Sequence, residues 1–316
     1  MSADRDALPS RMCTRKDIVR KELVSGKRSD NRALSEFAAT SISQLKCSNP
    51  EDVIVIARIG DTRVSCLLSL EIREAEPDPD LIHLKVTTAD DAHQKAHHHD
   101  DDGDSDDEVE MDNHEDRSSA NLEREATLET LIEEFDLIDE SRLILLPGRL
   151  VLHLHVTINV LQNNGSVIDA GFLALVAALE RLQLPTVQHD VTEDTFQFDW
   201  NQLHSAGGLL RQRCVCSTFA VTGHLLVCGP SAEEEDTADA VIVAVSGKEQ
   251  SLAFIQVIDG QLPPGFTGLP YDRLVESAAA RRLKLERILT DPASDDSFIP
   301  ENKAVRLSST DTAVKL

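Results

Sequence analysis

Several groups of residues in this chain have the types and spacing that chemistry requires. Cys214 and Cys216 stand two apart, and so do His153 and His155. On a strand each pair shares one face and could offer two ligands to a metal. A third ligand is not evident beside either pair, and Cys-x-Cys lacks the paired spacing of zinc sites. We therefore read the cysteines as buried, inert thiols, and the histidines as an interface or partly exposed strand face. His97, His98 and His99 could bind transition metals weakly, but they sit in a solvated acidic tract. The run Glu233-Glu234-Glu235-Asp236 offers four consecutive carboxylates; its plainer reading is a solvated helical turn. Lys27, Arg28 and Arg32 form one basic cluster, and Arg281, Arg282, Lys284 and Arg287 another. Either could meet nucleic-acid phosphates. The first reads otherwise as loop salt bridges or a subunit contact, the second as a solvated helix face whose cations favour the C-terminal dipole. No Gly-rich phosphate loop, nucleophile elbow or paired-Cys motif occurs. No cofactor and no metal are expected.

The elements that must position these residues alternate along the chain. Thr14 is placed to cap a short helix through Val24, with Ile18, Val19 and Leu23 on one side and Gly26 as the stop. Lys27 to Arg32 is a polar loop. Segments 52–58, 63–72 and 81–88 are strand-like, with a Gly60-Asp61 turn joining the first two. Residues 89–120 collapse into His, Asp, Glu and Ser, too polar and self-repelling to offset chain entropy, so a disordered insert is expected. Helical periodicity resumes at Leu122, with Leu128, Leu131, Ile132 and Phe135 on one face.

Leu150, Leu152, Leu154, Val156, Ile158 and Val160 then alternate with His153, His155, Thr157 and Asn159. A period of two marks a strand with one buried face. Asn164-Gly165 predicts a hairpin turn into a short return strand at 166–168. Asp169 is placed to cap a helix to about Leu182, whose stripe of Phe172, Leu175, Val176 and Leu179 is flanked by small residues that permit close packing. Further strands are expected at 213–220, 224–228, 238–245 and 252–258, and a last helix at 270–290. Sheet, helix, sheet, helix makes an α/β, or α+β layered, architecture.

Composition narrows the class. The 316 residues carry a net charge of −25, and the stretch from Asp100 to Asp116 holds eleven acids and no Lys or Arg. Without that stretch the net charge is −14, still a poor match for stand-alone nucleic-acid binding, which draws its affinity from Lys and Arg. No apolar run reaches membrane-spanning length. The opening Met-Ser-Ala-Asp-Arg-Asp has no secretory apolar core, so the six cysteines are expected to be free thiols in a reducing compartment. Residues 1–13 and 291–316 are expected to be loose ends around one domain, 14–290, interrupted by the insert.

Several stretches resemble the RNase PH family as found in the exosome ring. Arg28-Ser29-Asp30-Asn31-Arg32 resembles its Arg-Pro-Asp-Gly-Arg loop, followed by Leu34-Ser35-Glu36-Phe37 where the family has a Glu-Phe-Arg run. Ile59-Gly60-Asp61-Thr62-Arg63-Val64 resembles its Leu-Gly-Asn-Thr-x-Val hairpin. Asn164-Gly165-Ser166-Val167-Ile168-Asp169-Ala170 resembles its Asp-Gly-Asn-x-x-Asp-Ala strand-to-helix turn. Residues 173–179, 184–185, 217–221 and 230–235 look most like one eukaryotic ring subunit. The resemblance spans 14–88 and 121–290. It departs at Ser29, Asn31 and Ala38, where the family has Pro, Gly and Arg, and at the insert, which stands where relatives carry RNA-channel elements.

The resemblance implies an RNase PH-like fold with mixed sheets and packed helices, similar to domain 2 of ribosomal protein S5. It marks Arg28, Arg32, Glu36, Phe37, Gly165, Asp169 and Ala170 as family-signature and interface candidates, with Lys27, Arg28 and Arg32 as RNA-contact candidates. Active members place two acids after the strand equivalent to 225–228, to bind a metal or protonate a leaving oxygen. Here Gly229 takes the first acid's place, and Asp239 is the candidate for the second. The expected role is a non-catalytic ring subunit in 3′-to-5′ RNA processing and decay. Its partners would be other RNase PH-type subunits in a ring of six, S1/KH-type cap subunits, an associated hydrolytic exoribonuclease, and RNA in the channel. The expected location is nucleus, nucleolus and cytoplasm, without membrane contact. The alternatives are an active phosphate-dependent exoribonuclease and an acidic scaffold unrelated to RNA.

Overall fold

The computed structural model describes residues 14–290, except 48, 50–51, 76–80, 89–118, 191–194, 207, 248–251, 265 and 267–268. The expected loose ends and nearly all of the expected insert lie outside the described residues.

Helix α1 (Arg15–Val24) starts where a capping box allows it: the Thr14 hydroxyl accepts from the Asp17 N–H, and the Asp17 carboxylate accepts from Thr14 N. Gly26, at φ +76°, ends it. Val19 and Leu23 are buried, whereas Ile18 stays 41% exposed. Strands β1 (Thr40–Leu45), β2 (Val53–Ile59), β3 (Thr62–Glu74), β4 (Ile82–Thr88), β5 (Ile144–Leu146) and β6 (Leu150–Gln162) make one sheet, ordered β1-β2-β3-β6-β4 with β5 also on β6. β4 runs parallel to β6, and the other pairs are antiparallel. Helix α2 (Ser119–Glu134) packs beside β4 and buries Leu128, Leu131 and Ile132.

The second sheet joins β9 (Val215–Thr222), β10 (Leu225–Cys228), β11 (Ala240–Ser246) and β12 (Leu252–Gly260) in the order β10-β9-β11-β12. β7 (Gln183–Asp190) and β8 (Thr195–Ser205) form a separate antiparallel hairpin. Helix α3 (Val167–Arg181) lies between the two large sheets, touching β2, β3 and β6 on one side and β9 on the other. That position explains its sequence. A helix apolar on all sides must be buried on all sides, and every residue from Val167 to Leu179 is. Gly171 lets the helix approach Ile158 and Leu128, which an added Cβ would meet at 3.5 and 3.7 Å. Full burial of side chains such as Phe172 and Leu175 contributes about 1.5–3 kcal/mol each. Helices α4 (Ala232–Thr237) and α5 (Leu269–Thr290) complete the second half.

Two expectations are corrected. Residues 166–168 are not a return strand: Ser166 turns the chain in the left-handed region at φ 53°, and α3 begins at Val167. Asn164-Gly165 therefore makes a strand-to-helix turn rather than a hairpin. Asp169 does not cap the helix either; it lies inside the first turn and is 1% exposed. Polar pairing across the core, described below, overrides the local capping preference. The strands at 40–45 and 183–205 were not anticipated.

Candidate functional site

The residues singled out from the sequence converge on one corner, where three turns interlock. The Thr62 hydroxyl, after the β2–β3 turn, donates to the Gly165 carbonyl at 2.7 Å and accepts from Asn164 N at 2.9 Å. Gly165, at φ +84°, approaches the β10–α4 turn so closely that a Cβ would sit 2.5 Å from the Pro230 carbonyl oxygen. Only glycine satisfies both the backbone angle and the space.

Arg28 is the centre of the loop that follows α1. Its guanidinium is fully buried and forks onto Glu234 at 2.9 and 2.6 Å. It also donates to the carbonyls of Glu36, Cys228 and Gly229. Five donors in a fixed plane suit that number of acceptors, which an ammonium could not match. Arg32 pairs with Asp30 at 2.6 Å and reaches the Gly229 carbonyl at 3.2 Å. Burial works against the Asp30 charge, but the Arg32 backbone N–H and guanidinium hold its carboxyl below the usual range. Asn31 has φ 63°, so the position where the family has Gly demands the left-handed region, and Asn tolerates it. Glu36 offers its carbonyl to both arginines, and Lys27 is exposed.

A second buried pair lies beneath. Asp169 accepts from Thr218 N at 2.9 Å, the Thr218 hydroxyl at 2.6 Å and Arg281 at 2.7 Å. Arg281 also stacks over Phe37, 4.2 Å from its centroid, and Phe37 meets Phe219 edge to face at 5.6 Å. Ala170 is fully buried beside Asp169. Arg281 and Arg282 are 4% and 3% exposed, so the expectation of a solvated basic face is corrected for these two; Lys284 and Arg287 are exposed.

The acidic run is a helical turn as expected, and its Glu233 and Asp236 are exposed, but the solvated reading is corrected for Glu234, which is buried, and Glu235, which is half-buried. Each of its four carboxylates has a different partner: Glu233 takes Arg15, Glu234 takes Arg28, Glu235 takes the Ser166 N–H, and Asp236 takes Lys16. Burial pushes the Glu235 carboxyl up to about 7, assisted by Asp169 and Glu234 and opposed by Ser166 N–H and Arg124. Nothing in four consecutive acids distinguishes a clamp from a solvated turn; the partners come from residues more than 60 positions away.

Over this corner lies a cleft of about 370 Å³, lined by the three turns and by Arg15, Asp30, Arg32, Asp61 and Glu233. Its cations Arg15 and Arg32 are each engaged by a carboxylate of the same chain. At its edge stands Gly229, with φ +53°, where a Cβ would press on Phe37 at 3.0 Å and lie 3.7 Å from an Arg32 nitrogen. Asp239 does not join it. Its carboxylate accepts from Gly223 N, across the β9–β10 turn at the other end of these strands, and from Arg20. The Gly223 N–H, then Arg20, hold its carboxyl below the usual range. The carboxylates that do line the cleft are engaged by arginines, Asp30 by Arg32, Glu233 by Arg15 and Asp61 by Arg58 at 3.7 Å, and neither expected acid position, 229 or 239, adds one.

Elsewhere, Cys214 and Cys216 are buried and free, their thiols pushed up by burial, Cys214 to about 11. His155 meets Glu71 at 3.0 Å and His83 edge to face. No group of three metal-ligating side chains occurs among the described residues.

Residues 43–185 match the 3′ exoribonuclease family, domain 1, known as RNase PH. Similar proteins include exosome complex component Rrp42 of Thermococcus gammatolerans, 24% identical over 78% of this chain and 84% of that protein. The component of the same name from Methanothermobacter thermautotrophicus is 28% identical over 77% of this chain and 83% of that protein. Among solved structures, an archaeal exosome core chain aligns with TM-score 0.63 at 22% identity, covering 87% of this chain and 96% of that one. Rice Rrp46 aligns with TM-score 0.55 at 13% identity, covering 84% and 100%.

Proposed function

Since this chain carries an RNase PH domain, we propose that it is a structural, non-catalytic subunit of an exosome-type ring that serves 3′-to-5′ RNA processing and degradation. The observation that carries the non-catalytic part is Gly229. Glycine offers no proton and no ligand, and the other candidate acid, Asp239, is held by Arg20 and Gly223 N away from the cleft. One remaining carboxylate cannot hold a metal and protonate a leaving oxygen together.

The ring part draws on the likeness to proteins named exosome complex component Rrp42. Among exosome ring subunits, residues 173–179, 184–185, 217–221 and 230–235 resemble the eukaryotic subunit called ribosomal RNA-processing protein 43, and proteins 42 and 45 share most of the same marks. The neighbours would be RNase PH-type subunits closing a ring of six, with S1/KH-type cap subunits and a hydrolytic exoribonuclease that performs the cleavage. RNA would pass through the assembled channel. The place of action would be nucleus, nucleolus and cytoplasm. Arg28 and Arg32 act in this account as organisers of the corner rather than as RNA contacts, because both are spent on carboxylates and carbonyls.

Native mass spectrometry of the endogenous complex, with co-expression beside each RNase PH-type subunit, tests the ring. The expected result is one copy of this chain in a six-membered ring. A stable monomer that binds none of those subunits contradicts it.

A further inference from the structure

Two of the turns that line the corner cleft, at 164–166 and 229–231, come from distant parts of the chain. Three contacts hold them together. Gly165 fits under the Pro230 carbonyl, where a Cβ would not. The Ser166 hydroxyl donates to that same carbonyl at 3.1 Å. The Ser166 N–H donates to the Glu235 carboxylate, just beyond the second turn, at 2.6 Å. Only the third contact uses a group that changes charge when it gains or loses a proton.

Glu235 is also the odd charge of its surroundings. Three carboxyls crowd this point: Asp169 on α3, and Glu234 and Glu235 on α4. Arg281 of α5 contacts Asp169 at 2.7 Å, and Arg28 of the loop after α1 contacts Glu234 at 2.6 Å. The outer acids of α4, Glu233 and Asp236, are taken by Arg15 and Lys16 of α1. The cation left to face Glu235 is Arg124 of α2, whose own hydrogen bond goes to Asn121 at 2.9 Å. Two contacting arginines for three crowded acids leave Glu235 with one amide donor and no ion pair among the described residues. A carboxyl so placed keeps its proton. Burial, then Asp169 and Glu234, push it up to about 7 against the Ser166 N–H and Arg124.

We propose that Glu235 is a proton-dependent clasp on the corner cleft: neutral, it keeps the turns at 164–166 and 229–231 closed on one another, and on losing its proton it lets them part. Arg124 brakes the opening, because its charge favours the ionised carboxylate while the turns are still closed. The clasp is independent of the ring reading and adds a second state to the cleft. Its direction follows from linkage. The closed state binds the proton more tightly than an open state in which water reaches the carboxyl, so opening grows as pH rises. With the open carboxyl at its ordinary 4.5 and the closed one at about 7, the open fraction rises about tenfold between pH 6 and pH 8.

Hydrogen–deuterium exchange of the full-length chain, corrected at each pH for the intrinsic rate of an unstructured peptide, tests this. Corrected exchange of the amides at 165–170 and 231–237 is expected to rise about tenfold from pH 6 to pH 8 and to be insensitive to dilute urea, as a local opening is. A flat wild-type profile overturns the clasp. So does a rise that grows with urea and is shared by β3 and β6, which would be global unfolding. These outcomes need no variant. Glu235→Gln, which cannot ionise, should hold low exchange at both pH values; a rise equal to that of wild type overturns the assignment to Glu235. Arg124→Met should exceed wild type at pH 8, and a profile identical to wild type contradicts the part given to Arg124.

Discussion

The Arg28 guanidinium lies 2.6 Å from the Glu234 carboxylate, and both side chains are within 3% of complete burial. This pair links the loop after α1 to α4. Removing one partner of a buried ion pair strands the other charge, at a cost of about 3–5 kcal/mol. Glu234→Ala should therefore lower unfolding stability by that order. Glu234→Gln, which keeps an acceptor for one guanidinium edge, should lose less. Urea unfolding followed by circular dichroism measures both; a loss under about 1 kcal/mol for the alanine variant would show that the pair is not organising the corner.

The same pair marks the limit of what could be read from the sequence. Arg28 was legible as a candidate because its loop resembles a family signature, but a basic loop carries no sign of burial. The alternation at Leu150 to Val160 was legible because a period of two records one buried face. The start of α3 was not, because Asn-Gly suits both a hairpin and a strand-to-helix turn, and what decides is Glu235 taking the Ser166 N–H from across the fold. The first strand of the hairpin at 183–205 carries Pro185 and no clean alternation, although Phe196, Phe198 and Trp200 alternate with Gln197, Asp199 and Asn201 on the second, a signal missed in the sequence; β1 is short with three exposed residues.

Glu235 makes stability depend on pH in a direction opposite to that of most carboxylates. Its folded value is raised from the ordinary 4.5 to about 7. The folded state thus holds a proton that the unfolded state releases, so its contribution is fully present below about pH 4.5 and is lost as pH rises through about 7. Glu235→Gln accepts the Ser166 N–H without a charge. Against wild type it should gain relative stability between those limits, on the order of 3 kcal/mol by pH 8. Parallel melting curves across that range measure the difference; a flat difference means the carboxyl titrates normally.

Asp169 and Arg281 should behave as a coupled unit. Asp169→Ala and Arg281→Met each remove one charge of a buried pair and should each cost about 3–5 kcal/mol. The double variant leaves neither charge stranded, so it should cost clearly less than the sum, with a coupling of about 1–3 kcal/mol. Additive losses in the cycle would mean that packing against Phe37, rather than the ion pair, holds α5 to the core.

Restoring an acid at position 229 should not restore chemistry. The backbone there is left-handed, and a Cβ meets Phe37 at 3.0 Å. Gly229→Asp should therefore cost about 1–2 kcal/mol and leave RNA intact, because Asp239 remains bound to Arg20. Assay of that variant for phosphate-dependent cleavage decides; appearance of activity would show that a second acid is already in place.

The most direct measurement is incubation of the purified chain with end-labelled single-stranded RNA, Mg²⁺ and inorganic phosphate. The account predicts unchanged RNA and no nucleoside diphosphate. Release of nucleoside diphosphates that requires phosphate and follows the chain through a final sizing column would contradict it, because Gly229 offers no acid and Asp239 is held by Arg20 and Gly223 N away from the cleft.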